Sequence, residues 1–181
     1  MRTRLLVPVA MLFLAVGSAG AQIPSITLFG GAAVPTGDAG DDLNTGFTLG
    51  GALDMHLPAT PFGARLEGTY ARFGVKGLDG TGLTAHASDA GANLNVVMTL
   101  VNAVIFKPYI TAGPSYSNLK LSASDGTNSG SDSESHWGYN AGGGIDFGLG
   151  PLGARLDVRY KHISANGGSW TSVPLTFGIR F

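Results

Sequence analysis

The sequence predicts an all-β fold: eight antiparallel strands closed into an up-and-down transmembrane β-barrel, preceded by a cleaved signal peptide. Three observations carry that reading. Apolar and polar residues alternate with period two along most of the chain, the mark of strands whose two faces meet different media. The links between these runs are long and short by turns, as at the two unlike ends of an up-and-down barrel. Charged residues fall within strands, opposite the aliphatic row.

At the N-terminus, Arg2 and Arg4 form a positive segment, Leu5 to Gly17 is almost wholly apolar, and Ala19-Gly20-Ala21 supplies the small residues of a cleavage site. That is the layout of a secretory signal peptide. The apolar stretch is short of the roughly 20 residues of a membrane-spanning helix. Residues 1–21 are therefore read as the signal and 22–181 as one barrel domain. Two of the 11 basic residues leave with the signal, so 9 face 12 acidic residues, a net of −3. Such a balance gives no basic footprint for nucleic acid. With no cysteine, the exported chain has neither disulfides nor thiol chemistry. Glycine, 29 of 181 residues, is far above the usual ~7% and relieves crowding where a small sheet curves sharply.

The eight strands are expected at 23–33, 45–56, 62–73, 86–99, 106–117, 136–148, 153–163 and 171–181. Longer links rich in Gly, Ser, Asn and Asp are expected at 34–44, 74–85, 118–135 and 164–170, and short ones at 57–61, 100–105 and 149–152. In the second strand Phe47, Leu49, Leu53 and Met55 share a face opposite Thr48, Asp54 and His56. In the seventh, Leu156, Val158 and Tyr160 oppose Arg155, Asp157, Arg159 and Lys161. The final run sets Val173, Leu175, Phe177, Ile179 and Phe181 against Ser172, Pro174, Thr176, Gly178 and Arg180.

Alternation alone does not tell a soluble barrel from a membrane barrel; charge placement, together with the signal segment and the terminal Phe181, selects the membrane barrel. Asp54, Arg65, Glu67, Asp146, Arg155, Asp157, Arg159 and Arg180 carry opposite signs on neighbouring strands. On a lipid face a mid-membrane charge costs up to about 2–4 kcal/mol; in a lumen the charges neutralise one another. An internal echo sharpens this. Pro61-Phe62-Gly63-Ala64-Arg65-Leu66-Glu67 returns as Pro151-Leu152-Gly153-Ala154-Arg155-Leu156-Asp157, with Asp54 and Asp146 just upstream. Tight turns around Ala59-Thr60 and Gly150-Pro151 would set Asp54 opposite Arg65 and Asp146 opposite Arg155, building a charged plug from two hairpins that face each other across the axis.

The run Lys107-Pro108-Tyr109-Ile110-Thr111-Ala112-Gly113-Pro114-Ser115-Tyr116, the glycine-rich Ala141-Gly142-Gly143-Gly144-Ile145-Asp146 and the closing Thr176-Phe177-Gly178-Ile179-Arg180-Phe181 resemble the small outer-membrane β-barrel family, which includes OmpX-like and OmpA-transmembrane-like proteins. The resemblance spans residues 23–181. It implies residence in the cell outer membrane among lipid and lipopolysaccharide. It also implies delivery by periplasmic chaperones, and a C-terminal signal on Phe177, Ile179 and Phe181 read by the barrel-assembly machinery. A monomer is expected. The family's activities range over adhesion, envelope integrity, resistance to host defences and small-solute passage.

Aromatics are expected in two interfacial girdles: Phe62, Phe106, Tyr109, Phe147 and Phe181 towards the short turns, and Phe29, Phe47, Tyr70, Tyr116, Trp137, Tyr139, Tyr160 and Trp170 towards the long loops, with Phe73 covering a loop base. Catalytic and metal chemistry is thin. His56, His86, His136 and His162 lack metal-ligand spacing. His86-Ala87-Ser88 and His162-Ile163-Ser164 resemble the His-x-Ser of outer-membrane lipid A deacylases but lack the acid that would orient the imidazole. Asp38, Asp41 and Asp42 read as a solvated acidic loop tip. The expectation is a non-enzymatic envelope protein without cofactor or metal, its lumen too narrow for a diffusion pore; a narrow ion or solute channel is the rival.

Overall fold

The computed structural model describes residues 24–77, 84–103, 105–124, 129–149, 152–165 and 168–181; the expected signal peptide at 1–21 and the turn at Gly150-Pro151 lie outside them. Eight strands follow one another: β1 (Ser25–Thr36), β2 (Gly46–His56), β3 (Phe62–Gly74), β4 (Thr84–Thr99), β5 (Phe106–Ser124), β6 (Ser129–Leu149), β7 (Leu152–Ala165) and β8 (Gly168–Arg180). Each pairs antiparallel with its neighbour in sequence, and β8 pairs with β1, so the sheet closes as a barrel. The seam is tight: the amide of Phe181 donates to the Ile26 carbonyl at 2.8 Å and the Ile26 amide returns the bond at 3.2 Å.

Period two decides which way each side chain points. Leu28, Leu49, Val96, Leu175 and Phe177 face outwards and are half or more exposed, whereas Asp54, Arg65 and Glu67 are 3% exposed or less. This inverts the arrangement of a water-soluble barrel. Apolar side chains on the outside need hydrocarbon around them, and charges inside need partners. No helix among the described residues is long and apolar enough to cross a membrane, and the crossing is made by strands.

The structure departs from the expected boundaries mainly at one end. The stretch 118–135, expected as a loop, is largely strand: β5 and β6 stay paired from Phe106↔Phe147 to Ser124↔Ser129. Above the membrane both faces of a strand meet water, so the ladder continues without the apolar row that marks it lower down. This hairpin overtops its neighbour, because β6 pairs with β7 only from Gly138↔Ile163 downwards. Among the described residues, 129–137 of β6 thus have a strand partner on one edge alone. The β7–β8 link is shorter than expected for the same reason, with pairing continuing to Ala165↔Gly168.

The acidic segment 38–42 is a one-turn helix, α1 (Asp38–Asp42), instead of an open loop tip. Gly37 turns the chain at φ 61°, where a side chain would be strained. Asp38 and Asp41 then sit in the first turn, where negative charge suits the helix dipole. Lys76 holds the turn down by donating from Nζ to the Gly40 carbonyl at 2.6 Å. Ala39 and Leu43 point into the barrel mouth and pack with Ala33, Ala71, Phe73 and Ala87 into an apolar cluster, with Val75 and Trp170 at its margin. Phe73 meets Trp170 edge-on, ring centroids 5.5 Å apart. The long-loop end of the lumen is therefore floored by hydrocarbon.

Candidate functional site

Below that apolar layer charged side chains line the lumen. The β2–β3 register sets Asp54 opposite Arg65, and the β6–β7 register sets Asp146 opposite Arg155. Arg65 Nε stands 2.5 Å from Asp54 Oδ1. Arg155 grips Asp146 with two nitrogens, Nε to Oδ1 at 2.6 Å and Nη2 to Oδ2 at 3.0 Å. Its remaining arm reaches β2, where Nη1 donates to Asp54 Oδ2 at 2.9 Å. Arg180 on β8 adds Nη1 to Asp146 Oδ2 at 3.1 Å.

One step higher, Arg159 of β7 spans the lumen to Glu67 of β3, with Nη2 2.7 Å from Oε1 and Nη1 on Oε2. Its Nε lies 2.6 Å from Asp157 Oδ1. Asn93 and Asn95 of β4 donate to Glu67 Oε2 at 3.4 and 3.2 Å. Higher still, Lys161 Nζ pairs with Asp89 Oδ2 at 2.6 Å. All eight charged residues singled out from the sequence thus face the lumen and share one connected network. With the Lys161–Asp89 pair, five carboxylates (Asp54, Glu67, Asp89, Asp146, Asp157) meet five cations (Arg65, Arg155, Arg159, Lys161, Arg180). A buried network of this kind is tolerable in low dielectric because every charge has an opposite neighbour.

Sequence reasoning missed three members. Asp89 and Lys161 lie on the lumen faces of their strands but were not counted among the paired charges. Tyr109, expected in the lower girdle, is instead 3% exposed inside the barrel. Its hydroxyl donates to Asp157 and accepts from Arg65 Nη1 at 3.4 Å. The Arg65 and Arg155 guanidinium carbons stand 4.7 and 5.5 Å from its ring centroid, so the ring's electron-rich face supports two like charges at once. The signal was parity: Tyr109 shares its face with Lys107 and Thr111. Glycines make the space. A Cβ at Gly144 would lie 2.6 Å from the Tyr109 hydroxyl, and one at Gly142 would lie 2.8 Å from Arg159 Cγ.

A cavity of about 40 Å³ survives near the centre, lined by Asp89, Asn93, Asn140, Asp157, Arg159 and Lys161 among others. Asp89 Oδ1, Asn93 Oδ1 and Asn140 Oδ1 are buried there without a protein partner, which suits a few trapped waters.

Phe29 also leaves the expected girdle and turns inwards on β1 to line this cavity, while Trp170 joins the apolar layer beneath α1. The other expected aromatics flank the aliphatic band: Phe106 and Phe147 meet edge-on at 6.0 Å at the short-turn end, Tyr116 and Trp137 at 5.1 Å near the opposite end. Phe177, Ile179 and Phe181 point outwards along β8, beside the β1 seam. His86 and Ser88 lie on the outer face of β4, where the Ser88 hydroxyl donates to the Lys120 carbonyl at 3.4 Å. His162 stacks obliquely by Tyr139, 5.1 Å between centroids, with Nδ1 3.2 Å from the Thr171 hydroxyl. Neither histidine has a carboxylate partner among these contacts. Among the described residues no group of three His, Cys, Asp or Glu is placed to hold a metal ion.

Comparison with known proteins agrees with this architecture. No curated protein matches the sequence. Among solved structures, Neisserial surface protein A is 17% identical with a TM-score of 0.64, the match covering 90% of this chain and 98% of that one. A major outer membrane protein from Thermus thermophilus is 13% identical over 88% of this chain and 99% of that one, TM-score 0.62. OprG from Pseudomonas aeruginosa is 20% identical over 90% and 98%, TM-score 0.53. These likenesses are of fold. Residues 6–181 match the family described as outer membrane protein beta-barrel domain, and with lipid-facing strands, a closed barrel and an internal charge network, the chain belongs to that family.

Proposed function

We propose that this protein is a non-enzymatic integral barrel of the outer membrane, closed to solutes, which holds its loop-bearing end at the cell surface for a structural or surface-interaction role. The observation that carries the reading is the wall-to-wall contact of Arg159 on β7 with Glu67 on β3. These strands are four apart in an eight-stranded ring, so the pair closes the widest span of the lumen. The apolar layer of Leu43, Phe73 and Trp170 lies above it, and the intervening cavity has room for a few waters at most. An ion entering would have to separate buried partners, at a cost of about 3–5 kcal/mol for each pair broken.

In this reading residues 1–21 direct export and are removed. Phe177, Ile179 and Phe181 present the outward row that the assembly machinery meets after release from periplasmic chaperones, and the barrel works as a monomer among outer-membrane lipid and lipopolysaccharide. Planar-bilayer recording tests the closed lumen. The purified barrel should give no stable open level, and regular stepwise currents would establish the channel reading in its place. Mass analysis of lipid A after overexpression should show no change in acyl chains; a lost chain would instead mark an enzyme.

A further inference from the structure

On the described strands every acidic side chain lies on the lumen-side face, and so do the basic ones, with two exceptions. Arg72 of β3 and Lys120 of β5 point outwards. They share a row: Arg72 pairs with Ser88 of β4, and Ser88 with Lys120. Two strand spacings separate them, about 9–10 Å, and the small Ser88 between them leaves a depression. With His86, Asn118 and Ser122 these residues line a hollow of about 410 Å³.

Immediately towards the membrane lies a second hollow, about 500 Å³, bounded by Leu49, Tyr70 and Tyr116 and based on Gly68, Ala90 and Ala92. Its base is open: a Cβ on Gly68 would meet nothing within 4 Å. Tyr70 borders both hollows. A cationic, hydroxyl-lined cradle thus sits directly over an apolar trough, at the aromatic level where headgroups meet acyl chains. The long-loop end of such a barrel faces outwards, which places the cradle in the outer leaflet.

We propose that this wall, β2 to β5, is a docking site for a phosphorylated, acylated lipid of the outer leaflet. A phosphate would be held between Arg72 and Lys120 with Ser88 and His86 beneath it, and one acyl chain would lie in the Gly68–Ala92 trough. Charge complementarity selects an anionic headgroup, since the outward face of the described strands carries these two cations and no carboxylate. The inference rests on the orientation of the barrel and is independent of whether the lumen conducts.

Native mass spectrometry of the detergent-refolded barrel tests it, with bis-phosphorylated lipid A, dephosphorylated lipid A and inorganic pyrophosphate as probes. The bis-phosphorylated lipid should be retained, and each of Arg72→Gln and Lys120→Gln should weaken it roughly fivefold, about 25-fold together, the scale of a basic side chain at an anionic lipid surface. Dephosphorylated lipid A should bind as weakly to the wild type as the bis-phosphorylated form does to the double variant. Gly68→Leu, whose Cβ has open space, puts a side chain into the trough and should also weaken lipid binding. Heat-modifiable gel migration verifies that each variant is folded. Equal retention by the folded double variant overturns the cradle, and equal retention by folded Gly68→Leu overturns the trough. Pyrophosphate displacing the lipid at equal concentration would reassign the site to a free anion.

Discussion

The two echoed hairpins, β2–β3 and β6–β7, begin alike and then part. In each, an inward aspartate meets an arginine on the following strand, at 2.5 Å in one and 2.6 Å in the other, and a second carboxylate follows two residues later. At the next inward position one hairpin has Thr69 and the other Arg159. Thr69 stays local, its hydroxyl on the Gly91 carbonyl at 3.4 Å; Arg159 crosses the lumen. Within the barrel wall β2–β3 therefore presents Asp54 and Glu67 against Arg65 alone, while β6–β7 presents Asp146 and Asp157 against Arg155, Arg159 and Lys161. Neither hairpin is neutral by itself. Each supplies what the opposite wall lacks, so the network ties the walls together instead of merely stiffening each turn.

That asymmetry is open to breakage. Arg155 bridges both hairpins, so Arg155→Ala should be the most damaging change, about 3–5 kcal/mol, because it strips a buried site of its shared cation. Urea unfolding of the barrel in lipid vesicles measures it. Arg65→Ala should cost less, roughly 2–3 kcal/mol, since Asp54 keeps Arg155. Because both arginines serve Asp54, the double variant should depart from additivity by about 0.5–3 kcal/mol. An Arg65 effect larger than that of Arg155 would contradict the view of β6–β7 as the bridging hairpin. Next comes Glu67→Gln, which keeps the shape but leaves Arg159 only Asp157; about 1.5–3 kcal/mol is expected. The smallest effect should be Tyr109→Phe, about 1 kcal/mol, which removes the hydroxyl from Asp157 while keeping the ring beneath the two arginines.

How legible this was depended on where the chain sits relative to the membrane. Inside the bilayer a strand must show lipid one apolar row, so Leu156, Val158 and Tyr160 against Arg155, Asp157 and Arg159 announced both the strand and its facing. The same rule located the lumen charges and the Asp54–Arg65 and Asp146–Arg155 register. Above the bilayer the rule lapses, and Asn118 to Ser135 read as loop although the backbone ladder persists. Aromatics misled for another reason. Residue type puts Tyr109 and Phe29 in the girdles, whereas parity with Thr111 and Thr27 puts them inside. Of the apolar layer under α1, residue type and position mark only Phe73, expected over a loop base; Leu43 comes from a segment distant in sequence that reads as loop.

Along 129–137 of the tall β5–β6 hairpin, the outer edge of β6 carries amides and carbonyls with no strand beside them among the described residues, the kind of border along which neighbouring polypeptides zip together. Asp132 and Glu134 both stand on this stretch, and a second copy approaching edge to edge would bring its own carboxylates against them. Like charge on this rim would oppose the joining of two such ribbons edge to edge.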